Sequence, residues 1–223
     1  MPDNKLLIWD FYGVITDSEP AIHHEWKIYF LEKYSIDLSN DVWDTYLKGI
    51  SSADKIKQIT RLFTVCLGDD DARQCYDMCR AAFSQPGSLQ LTKGIENIFK
   101  MSFADCIATG AKAEVTADKI RGLGIEKYFP KDSVFTINMV QNGKPAPDLF
   151  LFAADKMQFA PQNCIVIEDS LSGVKAAIAA GMHVIPYAEF NQHDSFAQSV
   201  NSLGIKNIAK NMQQVAHFLS NIR

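Results

Sequence analysis

Short apolar runs rich in β-branched residues recur along the chain, and helical patterns separate the later ones. Five of these runs are predicted strands, at residues 6–11, 105–110, 134–139, 164–169 and 183–187. Strands that alternate with helices are typical of βαβ units, in which neighbouring strands are parallel. The pattern therefore predicts an α/β fold built on a parallel sheet.

The segment between the first two predicted strands breaks this regular alternation. It is a long helical stretch, from residue 18 to residue 85, with apolar positions at helical spacing. A stretch of about four helices is too long for a simple crossover between adjacent strands, so we expect an inserted domain on two linkers. The predicted organisation is a core formed by residues 1–15 and 87–223, and an all-α insert formed by residues 16–86.

Composition indicates an ordinary globular protein rather than a fibrous or disordered one. The 223 residues are 47% hydrophobic and 22% charged, and the formal net charge is −4. Residues 16–86 hold 12 acidic and 8 basic side chains, so the net charge of the chain falls on the insert. A mildly acidic chain is a poor candidate for general binding to nucleic acid or to an anionic membrane, and we expect neither partner.

The five cysteines and the amino-terminal sequence indicate a reducing compartment. An odd number of cysteines without a secretory signal favours free thiols, and we expect a cytoplasmic protein. Cys75 and Cys79 share a helical stripe with Phe83, which favours buried core cysteines over half of a metal site. No apolar run approaches the ~20 residues that a transmembrane helix needs.

Chemically active side chains follow four of the predicted strands. Asp10 follows the first strand, Thr109 the second, Lys144 the third, and the pair Glu168 and Asp169 the fourth. Parallel strands bring their carboxyl ends to one edge of the sheet, where these groups would meet. Three clustered carboxylates repel one another unless a cation lies among them, and an all-oxygen set favours Mg²⁺ over zinc.

Three segments carry a resemblance to a known family. The sequence from Leu6 to Pro20, that from Gly143 to Phe150, and that from Cys164 to Gly181 are similar to the motifs of the haloacid dehalogenase (HAD)-like hydrolases. The resembling branch contains β-phosphoglucomutase and small sugar-phosphate phosphatases. The resemblance implies a Rossmann-like core with strand order 5-4-1-2-3 and a helical cap at the position of the insert.

The resemblance also implies roles for the residues at the strand ends. Asp10 would be the nucleophile that accepts a phosphoryl group as an aspartyl phosphate. Mg²⁺ would be held by Asp10, Glu168 and Asp169 and by the backbone carbonyl of Tyr12. Lys144 would neutralise both the phosphate and Asp10.

Further substrate contacts are expected from two short segments. Thr109 would donate its hydroxyl to a phosphate oxygen, with Gly110 and Lys112 beside it after the second strand. In the insert, Lys48 lies in a segment similar to the cap loop that touches substrate in this branch. The β-phosphoglucomutases have an arginine where this chain has Ser52, and its absence weakens a mutase interpretation, because a mutase must hold a second phosphate with a cation.

Tyr12 departs from the phosphatase pattern of the family. A second aspartate normally stands two residues after the nucleophile and acts as general acid and base, which is worth roughly 10²–10⁴-fold in rate. A phenol, with a reference pKa of about 10, is a poor base at neutral pH. Tyrosine at this position is similar to the 2-haloacid dehalogenases, which use the same aspartate to displace halide from carbon without a metal.

The acidic pair at 168 and 169 favours phosphate chemistry, because a metal-free site has little use for two carboxylates beside Asp10. The sequence therefore predicts a Mg²⁺-dependent phosphatase that acts on a small phosphorylated metabolite and is slowed by Tyr12. Two alternatives stay open: a dehalogenase-type hydrolase that uses Asp10 on carbon, and a catalytically impaired binding protein that keeps the fold.

Overall fold

A computed structural model describes residues 5–48, 50–85, 87–190 and 194–222. Contacts divide the chain into two compact units, one formed by Met1–Asp17 and Gln90–Arg223, and the other by Ser18–Leu89. We name them the core unit and the helical unit. The sequence-based boundaries, after residues 15 and 86, lie two and three residues before the ends of Met1–Asp17 and Ser18–Leu89.

The secondary structure follows the predicted order. The strands are β1 (Leu6–Trp9), β2 (Ala104–Thr109), β3 (Val134–Thr136), β4 (Cys164–Glu168) and β5 (His183–Pro186). The helices are α1 (Glu19–Tyr34), α2 (Asn40–Val42), α3 (Ser52–Phe63), α4 (Asp69–Phe83), α5 (Ile95–Phe99), α6 (Ala113–Leu123), α7 (Asp148–Lys156), α8 (Leu171–Ala179), α9 (Asp194–Ser202) and α10 (Met212–Asn221). Within these described residues, no helix combines the length and apolar character that crossing a bilayer requires.

The five strands form one parallel sheet in the order β3-β2-β1-β4-β5. This confirms the expected fold class and strand order. The strands end earlier than predicted: β1 ends at Trp9 rather than at residue 11, and β3 ends at Thr136 rather than at residue 139. Apolar residues continue past both ends, but Phe11 lies in the turn after β1 and Ile137 begins a 3₁₀ turn, Ile137–Met139.

The sheet is buried on both faces, as a doubly covered parallel sheet must be. Alternate residues of β1 enter different clusters: Leu7 and Trp9 pack with α5, α6 and α10, whereas Leu6 and Ile8 pack with α7 and α8. The period of two along the strand therefore divides the core into two layers. This arrangement fixes β1 at the centre and places Asp10, the next residue, at the carboxyl edge.

In the helical unit, a buried aspartate joins two helices. Asp71 Oδ1 on α4 accepts hydrogen bonds from Tyr29 and Tyr34 Oη and from Lys33 Nζ, at 2.6 to 3.0 Å. Burial disfavours the charge, but the donors, together with the Gly68 backbone N–H, hold the pKa of Asp71 well below its usual range. Cys75 and Cys79 are buried on the same helix, as the stripe predicted.

A second aspartate lies partly buried within the core unit, in register with β1. Asp105 on β2 pairs with Leu7, and its Oδ1 accepts a hydrogen bond from Trp9 Nε1 at 2.7 Å. Burial raises the pKa of Asp105 to about 7, against the opposing effect of the indole hydrogen bond. The ionised carboxylate is therefore a cost to the folded state at neutral pH.

We expect Asp105→Asn to stabilise the protein at neutral pH and to leave its stability nearly unchanged near pH 4. The folded-state pKa is raised, so the wild type loses stability as pH rises from about 4 to about 7, by about 1–3 kcal/mol in total. The amide keeps an oxygen for Trp9 and carries no charge. Chemical denaturation of both proteins across this range measures the difference.

Asp105→Ala is the matched control, because it removes the charge and also the acceptor of the indole N–H. It should be less stable than Asp105→Asn at every pH. Equal pH dependence in the wild type and in Asp105→Asn would contradict the raised pKa.

Candidate functional site

Three carboxylates meet at the carboxyl edge of the sheet, on the ends of its two central strands. Asp10 follows β1, Glu168 ends β4, and Asp169 is the next residue. One ligand oxygen from each lies within 4.8 Å of the other two, and Asp10 and Glu168 are buried. The Asp10 backbone N–H donates to the Ile167 carbonyl at 3.0 Å, which locks the two strand ends together.

Lys144 supplies a positive charge between two of these carboxylates. Its Nζ lies 2.5 Å from Asp10 Oδ1 and 2.7 Å from Glu168 Oε2, and only 9% of its side chain is exposed. Burial opposes the ammonium charge, but the two carboxylates outweigh it and raise the pKa of Lys144 above its usual value. A lysine that lies far along the chain is thus brought into the site as a permanent cation.

Two glycines let the backbone approach the carboxylates closely. A Cβ on Gly13 would lie 1.9 Å from Asp169 Oδ2, and a Cβ on Gly173 would lie 2.0 Å from a Glu168 carboxylate oxygen. Gly13 also has a φ of +74°, a conformation that favours glycine. Any side chain at either position would push a carboxylate out of the cluster.

The cluster concentrates negative charge at a largely buried position, since Asp10 and Glu168 are buried and Asp169 is half-buried. Burial and then the charge of Glu168 raise the pKa of Asp10, whereas Lys144 lowers it. Burial and then the charges of Asp10 and Glu168 raise the pKa of Asp169. A cation bound between these carboxylates would reverse both shifts, because it favours the ionised forms.

Glu168 is also fixed from the other side by the start of α8. Its Oε1 accepts hydrogen bonds from the Ser170 backbone N–H at 3.0 Å and from Ser170 Oγ at 2.7 Å. The same hydroxyl accepts from the Gly173 backbone N–H and so caps the helix. Sequence reasoning gave Ser170 no role, although a serine just before a helix is an N-cap signal.

The remaining predicted groups of the core unit lie at the end of β2 and on the turn that leads to α6. Thr109 is buried, and its Oγ1 accepts a hydrogen bond from the Ala111 backbone N–H at 3.2 Å. Gly110 and Lys112 are exposed on this turn. Thr136 pairs with Thr109 in the sheet and is buried too, and its Oγ1 has no hydrogen-bond partner.

The last predicted substrate contact belongs to the helical unit. Lys48 follows a π-helical turn, Trp43–Leu47, and its Nζ lies 3.8 Å from Asp44 Oδ1. Gly49, in the same predicted loop, lies outside the described residues. The role of Lys48 stays a prediction.

Tyr12 has a neighbour that sequence reasoning missed. The Nζ of Lys119, on α6, lies 3.9 Å from the centroid of the Tyr12 ring, and this lysine is only 1% exposed. The available signal was a lysine between Thr116 and Ile120, on the side of the helix that also carries its apolar positions.

A sequence model described as "haloacid dehalogenase-like hydrolase" matches residues 4–181. The chain belongs to the haloacid dehalogenase-like hydrolases. The resemblance of the three motifs is thereby confirmed, and the protein is a hydrolase.

Named relatives of this HAD-like hydrolase include phosphate-processing enzymes. A phosphorylated carbohydrates phosphatase of Thermotoga maritima is 26% identical over 188 residues, which cover 81% of this chain and 83% of the relative. The β-phosphoglucomutase of Bacillus subtilis is 29% identical over 189 residues, which cover 81% of this chain and 82% of the relative.

Solved structures share the fold. A HAD family hydrolase of Deinococcus radiodurans, crystallised with phosphate and sodium, has a TM-score of 0.79 at 20% identity, over 99% of this chain and 97% of that chain.

The carboxylate cluster of this HAD-like hydrolase suits a divalent metal ion. Carboxylate oxygens are the donors that Mg²⁺ and Ca²⁺ take, and none of the three clustered residues is a softer histidine or cysteine ligand. The Glu168 oxygens already accept from Lys144 and Ser170, whereas Asp10 and Asp169 carry the raised pKa values that a cation would relieve.

We expect Mg²⁺ to raise the Tm of the protein more at about pH 8 than at about pH 6, because protons and metal compete for the same carboxylates. The raised pKa values of Asp10 and Asp169 place this competition near neutrality. Differential scanning fluorimetry with and without Mg²⁺ measures the shift.

Asp169→Asn should abolish most of this shift, whereas Asp132→Asn should leave it intact. Asp132 is an exposed aspartate just before the amino end of β3, at the opposite edge of the sheet. A shift that is independent of pH, or that survives Asp169→Asn, would place the metal elsewhere.

Proposed function

We propose that this HAD-like hydrolase is a metal-dependent phosphatase that acts on a small phosphorylated metabolite. The observation that carries the proposal is the ammonium of Lys144 between Asp10 and Glu168. The Asp10 carboxylate therefore lies beside a fixed cation, at the same edge of the sheet as Asp169. The phosphatase and mutase relatives support the same chemistry.

Asp10 is the proposed nucleophile. One of its carboxylate oxygens attacks phosphorus, the bond from phosphorus to the leaving oxygen breaks, and an aspartyl phosphate forms. Water then attacks the phosphorus, the bond to Asp10 breaks, and phosphate leaves. Splitting the hydrolysis in this way replaces one difficult step by two easier ones.

The neighbouring groups hold charge and geometry through both steps. Lys144 neutralises Asp10 before attack and would pair with a phosphate oxygen afterwards. Glu168 keeps Lys144 in place, and Thr109 would donate its hydroxyl to phosphate. We propose that Asp10, Asp169, Glu168 and the Tyr12 backbone carbonyl would hold Mg²⁺. When bound, the ion would shield the carboxylates from the anionic substrate.

Simple hydrolysis is favoured over phosphoryl transfer between two positions of a sugar. Ser52 stands where the β-phosphoglucomutases carry an arginine, so that position offers no cation for a second phosphate. We therefore expect release of inorganic phosphate and no isomerised sugar phosphate.

The proposal is tested by phosphate release from acetyl phosphate and p-nitrophenyl phosphate, with Mg²⁺ and with EDTA. Both substrates have good leaving groups, so the first step needs little help from an acid. We expect a Mg²⁺-dependent rate that falls by at least about 10³-fold in Asp10→Asn, because the amide cannot attack phosphorus. Asp132→Asn, at the opposite edge of the sheet, should release phosphate at the rate of the wild type.

Two results would overturn the phosphatase proposal. Phosphate release no faster than that of Asp10→Asn would leave a binding protein as the better description. Halide release from a 2-haloacid that EDTA does not affect would instead establish the dehalogenase reaction that Tyr12 resembles.

A further inference from the structure

Lys119 is a buried lysine on a helix that leads away from the site. It lies on α6 with Thr116 and Ile120, both buried beside it, and is among the largest fully buried side chains of the described residues. An ammonium removed from water is costly unless groups around it compensate. The face of an aromatic ring is one such group, because its negative quadrupole attracts a cation.

The ring that Lys119 faces is that of Tyr12. The Nζ to centroid distance is 3.9 Å, the shortest of the lysine–ring distances measured in the described part of the chain. The ring is partly buried against the core cluster, and its centroid lies 5.4 Å from that of Phe11 in an edge-to-face arrangement. Tyr12 is therefore held by specific contacts within the core unit.

Tyr12 belongs to the same turn as Asp10. Tyr12 is two residues after Asp10, and its backbone N–H donates to the Asp10 carboxylate. The turn is closed by the hydrogen bond from the Gly13 N–H to the Thr16 carbonyl at 3.0 Å. The Tyr12 side chain therefore occupies the position where the family resemblance places an acid–base carboxylate.

We propose that Lys119 is a positioning residue that holds the Tyr12 ring, and that the pair directs the enzyme to phosphates whose leaving oxygen departs without a proton. This inference rests on the proposed function. A carboxylate in place of Tyr12 would meet the Lys119 ammonium and pair with it, so it would not serve the leaving group. The substrate class is acyl, enol and aryl phosphates, in preference to alkyl phosphates.

The step balances without an acid. An Asp10 oxygen forms the bond to phosphorus, and the electron pair of the broken P–O bond leaves on an acyl or aryl oxygen, which is stable as an anion. Water then attacks the phosphorus, the P–O bond to Asp10 breaks, and the water proton passes to a phosphate oxygen. An alkoxide leaving group would need a proton that this position does not supply.

The contact is tested by a double-mutant cycle on thermal unfolding, which needs no activity. Lys119→Met keeps the length and removes the charge, and Tyr12→Leu removes the ring. We expect the two changes to be non-additive, with a coupling of about 2–6 °C in Tm. The conservative variants Lys119→Arg and Tyr12→Phe should preserve the contact, because the first keeps the cation and the second keeps the ring.

Lys127 and Tyr128 provide a matched control. Lys127 is exposed, and its Nζ lies 4.8 Å from the Tyr128 ring centroid. The same cycle there should show a coupling of less than about 1 °C, because water screens the charge. A Lys119–Tyr12 coupling no larger than this control would overturn the proposal.

The effect on leaving groups is tested with Tyr12→Asp alone and combined with Lys119→Met. Hydrolysis of glycerol phosphate, an alkyl phosphate, should rise less than about 3-fold in the single variant and at least about 30-fold in the double variant, as a released general acid permits. The kcat/KM for acetyl phosphate should change less than about 5-fold in either variant. This quantity reports the steps up to formation of the aspartyl phosphate, in which the acetate leaving group needs no proton.

An equal gain in the single and the double variant would overturn the link between Lys119 and the leaving group. If neither the wild type nor any variant releases phosphate in an Asp10-dependent way, the phosphatase proposal fails and takes the substrate class with it. The unfolding cycle still decides the Lys119–Tyr12 pair in that case.

Discussion

The charge balance at the carboxyl edge of the sheet is the constraint on which the site depends. Asp10, Glu168 and Asp169 hold three acidic groups within 4.8 Å, and the ammonium of Lys144 offsets only part of their charge. Such a cluster is unfavourable by itself, because like charges out of water repel strongly. The remaining imbalance makes the site receptive to a divalent cation, and with that cation in place an anionic phosphate can approach.

The fold tolerates this imbalance because rigid elements hold each group. Two layers of apolar side chains clamp β1 and β4 on both faces, so their ends cannot separate to relieve the repulsion. Gly13 and Gly173 bring the backbone so close that the carboxylates have little freedom. Glu168, held by Lys144 and Ser170, connects Lys144 and the neighbouring Asp10 to the start of α8. Electrostatic preorganisation of this kind is the main contribution that a protein makes to phosphoryl transfer.

Tyr12 departs from the family pattern, and its ring contacts a buried lysine of the core unit, Lys119. A phenol cannot replace a carboxylate in proton transfer, but its ring can interact with a buried cation, which a carboxylate would neutralise instead. The helical unit, by contrast, is organised by the Asp71 cluster, in which tyrosine and lysine donors satisfy one buried charge. The core unit thus leaves charge available for a ligand, whereas the helical unit satisfies its buried charge internally.

The sequence by itself determined the order of the elements and the residues that meet at the carboxyl edge of the sheet. Short apolar runs rich in β-branched residues predicted the five strands, and helical patterns predicted the insert. The strand-end positions of Asp10, Glu168 and Asp169 predicted one acidic edge, because parallel strands end together. Only the tertiary structure decided that Lys144 reaches both Asp10 and Glu168, that Gly173 and Ser170 support Glu168, and that Lys119 faces Tyr12. Those contacts join residues far apart in the chain or depend on side-chain direction, and local periodicity carries neither kind of information.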